Sequence, residues 1–380
     1  MPDVAAAGRV LVLLGLVAGL LSIQASAATA HTRTQETTNI TSRILQDPGL
    51  EGVEWTVHTG GLLLEVEHHG EQVLVVEGYE GEPYLRIGPH GVERNRNSPA
   101  TYLGADRFGE VAVPPNADAK AAPEWRRISE EPRHLWHDHR VHWMSPSPPD
   151  FVEAGPLAGG LMALDLVGHL GWAAERQRQI QAWTVPVTYG GEPAVLAGEL
   201  VWQDPPSALP WLLLGLVLAS PGLLGVRREG RAGLARPAAL LVGAVAAINA
   251  VHLVDDVIAW PSHPLDDLFG LLHTGLFVTV GLVGAAWAWR VEAGRLLALG
   301  IAAGAVLYHQ GMVHGPMLLA SQFPTVWPDP LIRLTVALAF AQAVVVAVVL
   351  GVARRREGSA GRGDQPSSTT SSVASMPASR

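Results

Sequence analysis

The chain has 380 residues, 48% of them hydrophobic, and a mean hydropathy of +0.22. This length leaves room for two or three domains, and the apolar content predicts that part of the chain lies in a membrane. The absence of cysteine excludes disulfides, thiolate metal sites and cysteine nucleophiles. The net charge of -9 provides no basic surface, so nucleic acid is not predicted as a partner.

Residues 1–30 have the pattern of a secretory signal peptide. Arg9 precedes an apolar run of about 14 residues, which is short for a membrane span, and small-residue cleavage sites follow at Ala27 and Ala30. An uncleaved anchor helix is the alternative. Cleavage after Ala30 would make His31 the N-terminus, where its amino group and imidazole together can chelate one copper ion. Cleavage after Ala27 removes that arrangement.

Residues 31–206 are predicted to form an extracytoplasmic, all-β sandwich of the immunoglobulin-like kind. Short segments rich in Val, Leu, Tyr and Trp alternate with glycine-containing turns, and Asp204-Pro205-Pro206 indicates the linker out of the domain. The segment 156–181 is apolar but charged at intervals, which favours an inserted surface helix or an ordered loop. We predict strands at 53–58, 62–68, 72–79, 83–87, 124–128, 180–189 and 193–202.

The stretch 133–144 is the densest group of metal-ligand residues, in a chain with 15 histidines. Read as a strand, it places His137 and His139 on one face and His142 and Met144 on the other, because successive side chains alternate. Imidazole and thioether are copper ligands, and imidazole also suits zinc or nickel. The pattern therefore predicts a metal site that uses these four residues.

Residues 207–356 are predicted to be a bundle of five transmembrane helices. Arginines follow the first, third and fifth spans, whereas the other two loops carry no Lys or Arg. By the positive-inside rule the protein is a multi-pass protein of the plasma membrane, with its N-terminal domain outside and its C-terminus in the cytoplasm. Residues 357–380, rich in Ser, Gly and Thr, are predicted to be a disordered cytoplasmic tail. We predict spans at 209–226, 238–254, 268–289, 296–320 and 331–352.

Ionisable residues recur in the outer half of the predicted spans or at its boundary, at His252, Asp255, His273, His309 and His314. Such residues are costly in a membrane and usually face a bundle interior or a polar pathway, which makes these five a second set of predicted metal ligands. Hydrogen bonding between helices is the structural alternative. His309 and His314 are five residues apart, so on an α-helix they lie roughly 140° apart and need not bind the same ion.

Motifs of the common enzyme classes are missing from the sequence. There is no G-x-S-x-G, no P-loop, no G-x-G-x-x-G after a strand and no H-E-x-x-H. An enzyme is therefore not the favoured prediction. Attachment of haem through C-x-x-C-H is impossible without cysteine, although ligation of haem by two histidines from different spans is compatible with the sequence.

Three runs carry a family resemblance: GYEGEPYLRIGPHGVERNRNSPATYL from Gly78, AAPEWRRIS from Ala121 and WHDHRVHWM from Trp136. They resemble the extracytoplasmic domain of a family of actinobacterial membrane proteins, over most of residues 50–206. The resemblance implies a membrane-attached β-domain and no particular activity. In layout, the chain also resembles a fused copper-resistance pair of the CopC and CopD type, which implies copper as the cargo. His31 would then match the N-terminal histidine of the CopC domain, provided that cleavage follows Ala30.

Two hypotheses follow. In the first, the protein binds or transfers a transition metal, with copper favoured: the histidines of the ectodomain capture the ion and those of the lipid-embedded bundle receive it. In the second, it is a non-catalytic envelope protein for interaction or assembly, which binds a protein partner. The stretch 133–144 would then be structural, with an ion pair between Asp138 and Arg140.

Overall fold

The computed structural model describes residues 37–145, 147–152, 177–259 and 264–363. The predicted signal peptide, His31, most of the segment 156–181 and the end of the predicted tail lie outside the described residues. The described chain has two regions, an N-terminal one rich in β-sheet and a C-terminal helical one.

The N-terminal region, which we call the β-domain, contains ten antiparallel strands in its described part. The segments predicted at 53–58, 83–87 and 193–202 agree with strands to within one residue at either end. The strands are β1 Ile40–Gln46, β2 Val53–His58, β3 Leu63–His68, β4 Leu74–Glu77, β5 Pro83–Gly88, β6 Gly91–Asn95, β7 Trp125–Ser129, β8 Arg133–Trp136, β9 Gln177–Tyr189 and β10 Glu192–Gln203. A single turn of helix, α1 Ala100–Leu103, lies between β6 and β7.

The strands form two sheets. Seven strands pair in the order β1-β10-β9-β4-β5-β6-β7, and three pair in the order β2-β3-β8. A two-residue turn joins β9 to β10; Gly190 and Gly191 occupy it with φ of 59° and 91°, as a type I′ turn requires. Both sheets contribute to one hydrophobic core, for example Leu64 from the small sheet and Leu74 from the large one. The immunoglobulin-like subtype stays a prediction.

The described part of the C-terminal region contains five helices that are long and apolar enough to cross a membrane, as the hydropathy of the sequence predicts. The protein is therefore an integral membrane protein of the multi-pass type. The helices are α2 Leu209–Ala219, extended by the 3₁₀ segment Ser220–Arg227; α3 Gly230–Ile258; α4 Pro264–Arg290; α5 Arg295–Val306, extended by the π-helix Leu307–Val313; and α6 Asp329–Gly363.

The fourth span ends earlier than the sequence predicts. The apolar run continues to Ala320, but the helix stops at Val313 and is followed by a 3₁₀ turn, Gly315–Leu318. Pro316 has no N–H to donate and Gly315 has low helix propensity, which accounts for the break. Residues 314–328, which we call the cap segment, therefore connect the π-helix to α6 at one end of the bundle.

The cap segment is where the β-domain contacts the bundle. Thr38 and Gln322 form an antiparallel bridge, with a backbone N–H to carbonyl distance of 2.9 Å in each direction. The side chain of Asn39 donates to the carbonyl of Leu319 at 3.3 Å and accepts from the N–H of Ser321 at 2.7 Å. The residues just before the first strand of the β-domain are thus fixed to the end of the bundle.

Candidate functional site

The histidine-rich stretch of the β-domain is a strand only as far as Trp136. Residues 139–141 form a turn, so the predicted alternation of His137, His139 and His142 between two faces is wrong. The cause is Asp138, whose buried carboxylate accepts hydrogen bonds from the backbone N–H of Arg140 at 3.1 Å and from Trp136 Nε1 at 3.0 Å. A carboxylate that bonds the N–H two residues later stabilises a turn and ends the strand.

Asp138 also forms the ion pair that the structural alternative predicts. The Arg140 guanidinium donates to both carboxylate oxygens, at 2.8 Å and 2.7 Å. Burial by itself raises the pKa of Asp138, but the hydrogen bonds and positive charge of Arg140 outweigh it, so that the pKa lies below its usual value. The pair is therefore ionised at neutral pH.

The histidines of this turn bond to backbone carbonyls. His137 Nδ1 lies 2.7 Å from the Leu62 carbonyl oxygen, His139 Nε2 lies 3.0 Å from that of Asp106, and His142 Nε2 lies 2.7 Å from that of Arg107. A carbonyl oxygen only accepts, so the contacting nitrogens of His137 and His139 carry the proton. His142 Nδ1 also lies 3.1 Å from the Asp138 carbonyl oxygen, and a neutral His142 ring donates to one of its two carbonyls, of which that of Arg107 is nearer. Burial lowers the pKa of His142 to about 4, so its ring is neutral at neutral pH.

These contacts give the three histidines a structural role: they fix the turn to the loop at 104–109 and to the start of β3. The ring of His139 also stacks on Tyr79, with 5.4 Å between centroids and 11° between planes. Met144, the fourth predicted ligand, is 37% exposed. The metal site predicted for this stretch stays a prediction.

The described histidines of the helical region form one cluster inside the bundle, which we call the histidine cluster. Ring centroids are 5.2 Å apart between His252 and His314, 4.9 Å between His314 and His309, and 5.4 Å between His309 and His273. The four imidazoles are thus in continuous contact from α3 through the π-helix to α4. Asp255, the fifth predicted residue, has its Oδ2 3.4 Å from His252 Nδ1.

The π-helix explains why His309 and His314 meet. On an α-helix, residues five apart point in different directions, as the sequence analysis assumes. The wider turn of a π-helix, with its i to i+5 hydrogen bonds, brings such residues nearly above one another. His314 Nδ1 accordingly lies 2.9 Å from the backbone carbonyl oxygen of His309. Among the motifs of the sequence, Gly311 and Gly315-Pro316 are the signals that could have indicated an irregular helix here.

Two ring nitrogens of the cluster are buried without a hydrogen-bond partner among the described residues: His309 Nδ1 and His273 Nε2. His309 is only 2% exposed, and its other nitrogen, Nε2, lies 3.0 Å from the hydroxyl of Thr274. Buried polar atoms in folded proteins are nearly always paired, and an unpaired one costs about 1–3 kcal/mol. The two nitrogens are therefore positions where a ligand would be stabilised.

Buried amides and hydroxyls accompany the histidines inside the bundle. Gln310 Nε2 donates to the hydroxyl of Thr335 at 2.9 Å, and Asn249 is 3% exposed. Deeper in the bundle, Gln342 Nε2 donates to the carbonyl of Ala303 at 3.0 Å. Gln310 stands out in the sequence as a polar residue of the fourth predicted span, whereas Asn249 and Gln342 resemble any polar residue in an apolar run and are revealed by the packing.

The polar interior extends over only half of the bundle. The half that carries the arginine-rich loops is filled by a core of Ala, Val and Leu, such as Ala238, Leu299 and Val349. Arg295, which is buried there, donates to the carbonyls of Ala288 and Trp289 near the end of α4. In the described chain the polar residues thus lead inward from the β-domain end and stop partway.

The ring spacings are compatible with a shared metal ion. Two imidazoles that bind one ion at nitrogen distances of about 2.0–2.1 Å place their centroids about 5 Å apart at a tetrahedral angle. As the side chains stand, no three or more His, Asp or Glu side chains of the described residues are arranged to hold a metal ion. A tetrahedral site would require the rings of the cluster to reorient.

Comparisons with known proteins add no relative: no protein-family model, no curated protein and no solved structure matches the chain. The resemblances to an actinobacterial membrane-protein family and to CopC and CopD therefore stay predictions from the sequence.

Proposed function

We propose that this is a cell-envelope membrane protein whose histidine cluster binds a transition-metal ion, with copper favoured. The observation that carries the proposal is the chain of four contacting imidazoles with two unpaired ring nitrogens, His309 Nδ1 and His273 Nε2, inside a bundle of apolar helices. Ionisable residues inside a membrane protein are costly, and they mark binding sites and pathways. Imidazole nitrogen suits copper, zinc and nickel, and the chain has no thiolate to compete.

The ion would enter from the β-domain side. The polar residues begin at that end of the bundle and stop midway, which favours capture and release at one face over conduction through the bundle. The arginines after the first, third and fifth spans support a plasma-membrane topology in which this face is extracytoplasmic. The histidines of the β-domain turn bond to carbonyls in the structure, so in this proposal the bundle holds the primary site and the β-domain is a secondary partner.

The test is metal binding by the full chain, purified in detergent without a histidine tag. We expect about one equivalent of Cu(I) to bind the wild-type protein and none to bind His309→Gln, which keeps a polar side chain of similar size. His90→Ala is the matched control, because His90 is an exposed histidine of the β-domain. Stoichiometric binding that survives in His309→Gln, or no binding by the wild type, would overturn the proposal.

The second candidate is an envelope interaction or assembly protein in which both histidine groups are structural. It is favoured by the carbonyl contacts of His137, His139 and His142. In that case His309→Gln lowers the melting temperature equally with and without chelator, and a protein partner is recovered after cross-linking in the native membrane. A melting temperature that rises only when Cu(I) is added distinguishes the metal site.

A further inference from the structure

The carboxylate of Asp255 links the histidine cluster to the cap segment. It is 1% exposed, and it accepts two hydrogen bonds from the cap segment: the Thr325 hydroxyl donates to Oδ2 at 2.9 Å and the Val326 N–H donates to Oδ1 at 2.7 Å. Oδ2 also lies 3.4 Å from His252 Nδ1. One side chain therefore connects an imidazole of the cluster to residues outside the helices.

This contact sets the chemistry of His252. A carboxylate that faces Nδ1 favours the tautomer with the proton on Nδ1, so that Nε2 keeps its lone pair. Histidines that bind metals commonly have a carboxylate beside the nitrogen that does not bind the ion, and the carboxylate orients the ring. The centroid of the His252 ring lies 5.2 Å from that of His314 and 6.0 Å from that of Trp327. His252 is thus the first of the four contacting imidazoles, and the orientation of its ring determines its contact with His314.

The cap segment is itself held by the β-domain. Asn39 uses both atoms of its side-chain amide, Nδ2 toward the Leu319 carbonyl and Oδ1 toward the Ser321 N–H, and the Thr38–Gln322 bridge continues the same pairing. Only three residues separate Gln322 from Val326. A displacement of the β-domain would therefore be transmitted to the partners of Asp255 through a very short piece of chain.

On the bundle side, Arg333 of α6 holds the same part of the cap segment that the β-domain contacts. Its buried guanidinium donates to the carbonyls of Met317 and Ala320, each at 2.9 Å. The cap segment thus has a fixed attachment to α6 and a second attachment to the β-domain, and the contacts to Asp255 lie beyond both in sequence. Loss of the β-domain attachment would loosen the segment without detaching it.

We propose that Asp255 is a positioning residue for the histidine cluster and that the β-domain controls it through Asn39 and the cap segment. With Asn39 seated, Thr325 and Val326 hold the carboxylate against His252. When Asn39 is released, the carboxylate loses its fixed donors and the His252 ring becomes free to reorient and to meet solvent. As regulation of a metal site, this inference rests on the proposed function; the mechanical link itself is independent of any metal.

The test measures the link in the metal-free full chain in lipid nanodiscs. Asn39→Ala removes both side-chain hydrogen bonds, and Asn97→Ala is the matched control, an asparagine whose side chain bonds only within the β-domain, to the Ala122 carbonyl. We expect hydrogen exchange of the Ser321 and Val326 amides, and modification of His252 by diethylpyrocarbonate, to rise about tenfold in Asn39→Ala and to stay unchanged in the control. Equal His252 modification in Asn39→Ala and wild type would overturn the inference.

A second variant distinguishes loss of the link from general unfolding. Thr325→Val removes one donor to Asp255 and leaves the β-domain contacts in place, so His252 modification should rise several-fold while exchange of the Ser321 amide stays at the wild-type rate. Unchanged His252 modification in this variant also contradicts the inference. Cu(I) affinity is then measured separately: it should fall about tenfold in both variants. If the wild type binds no Cu(I), the proposed function fails, but exchange and modification still decide whether the link exists.

Discussion

The two histidine groups of the molecule differ in what their ring nitrogens contact. In the β-domain, His137, His139 and His142 bond to backbone carbonyls of neighbouring segments. In the bundle, imidazoles contact one another, and two nitrogens, on His309 and His273, have no partner among the described residues. The difference follows from the backbone: loops offer carbonyls that nothing else uses, whereas helix carbonyls are already bonded within the helix. A buried histidine between helices therefore meets few available carbonyls, such as that of His309 beside His314 Nδ1, and otherwise contacts a side chain or a ligand.

The largest expected effect concerns the ion pair that stabilises the histidine-rich turn of the β-domain. Asp138→Ala leaves the buried Arg140 guanidinium without its carboxylate, and removing one partner of a buried ion pair costs about 3–5 kcal/mol. The free energy of unfolding of the β-domain, followed by tryptophan fluorescence in urea, measures the loss. Asp118→Ala, an exposed residue, is the control. A loss below about 1 kcal/mol would show that the pair does not hold the turn.

A second prediction uses pH. Burial lowers the pKa of His142 to about 4 from its ordinary value near 6.5, so the unfolded chain binds a proton at pH values where the folded one does not. Stability from this group is complete above about pH 6.5 and is lost as the pH falls toward 4; between pH 7 and pH 5 the loss is about 2 kcal/mol.

The His142→Asn variant should lose this part of the pH dependence. Urea unfolding of the wild type and the variant at pH 7 and pH 5 gives the comparison. His69→Asn, which changes an exposed histidine, should keep the full slope. An unchanged slope in His142→Asn would contradict the buried, carbonyl-bonded placement of this ring.

A third, smaller effect concerns the bundle. Thr274→Val removes the hydroxyl that contacts His309 Nε2 and should destabilise the bundle by about 1 kcal/mol, seen as a lower melting temperature in detergent. Thr279→Val on the same helix is the matched control, because its exposed hydroxyl bonds only to the Gly275 carbonyl. If the two variants melt alike, the contact contributes nothing to the cluster.

The smallest expected effect is that of Met144→Ala. The side chain is 37% exposed at the end of the histidine-rich stretch, so we expect a change in stability within about 0.5 kcal/mol and no change in Cu(I) binding. Lower Cu(I) affinity in this variant would restore the thioether to the set of metal ligands that the sequence predicts. Isothermal titration calorimetry of the wild type and the variant with Cu(I) measures the affinity.

Local sequence patterns predicted the strands and helices whose formation depends on residues close together in the chain. The alternating segments gave strands such as β2 and β10, and long apolar runs gave five helices. The strand prediction failed beyond Trp136 because the side chain of Asp138 competes with the sheet for backbone N–H groups. Hydropathy overextended the fourth span because Met317 to Ala320 are apolar whether or not they are helical.

The arrangement of the histidine cluster depended on features that one sequence does not display. An α-helical spacing separates His309 from His314, and only the π-helix joins them. The partners of Asp255, Thr325 and Val326, are about 70 residues away along the chain, and their pairing follows from the packing of the cap segment. The residue types of the site could thus be chosen from the sequence, whereas their contacts could not.

The contact between the β-domain and the cap segment also orders the assembly of the protein in time. Ser321 and Thr38 are 283 residues apart, yet they bond to one another. At a synthesis rate of roughly 5–20 residues per second, Thr38 waits roughly 15–60 s for this partner. The cap segment can therefore bind the β-domain only after the fourth span has been synthesised and inserted into the membrane. A protein in which Thr38 and Ser321 are bonded has thus completed that stage of insertion. During this interval Thr38 and Asn39 lack their partners in the cap segment, although the strand that follows them can already pair with β10.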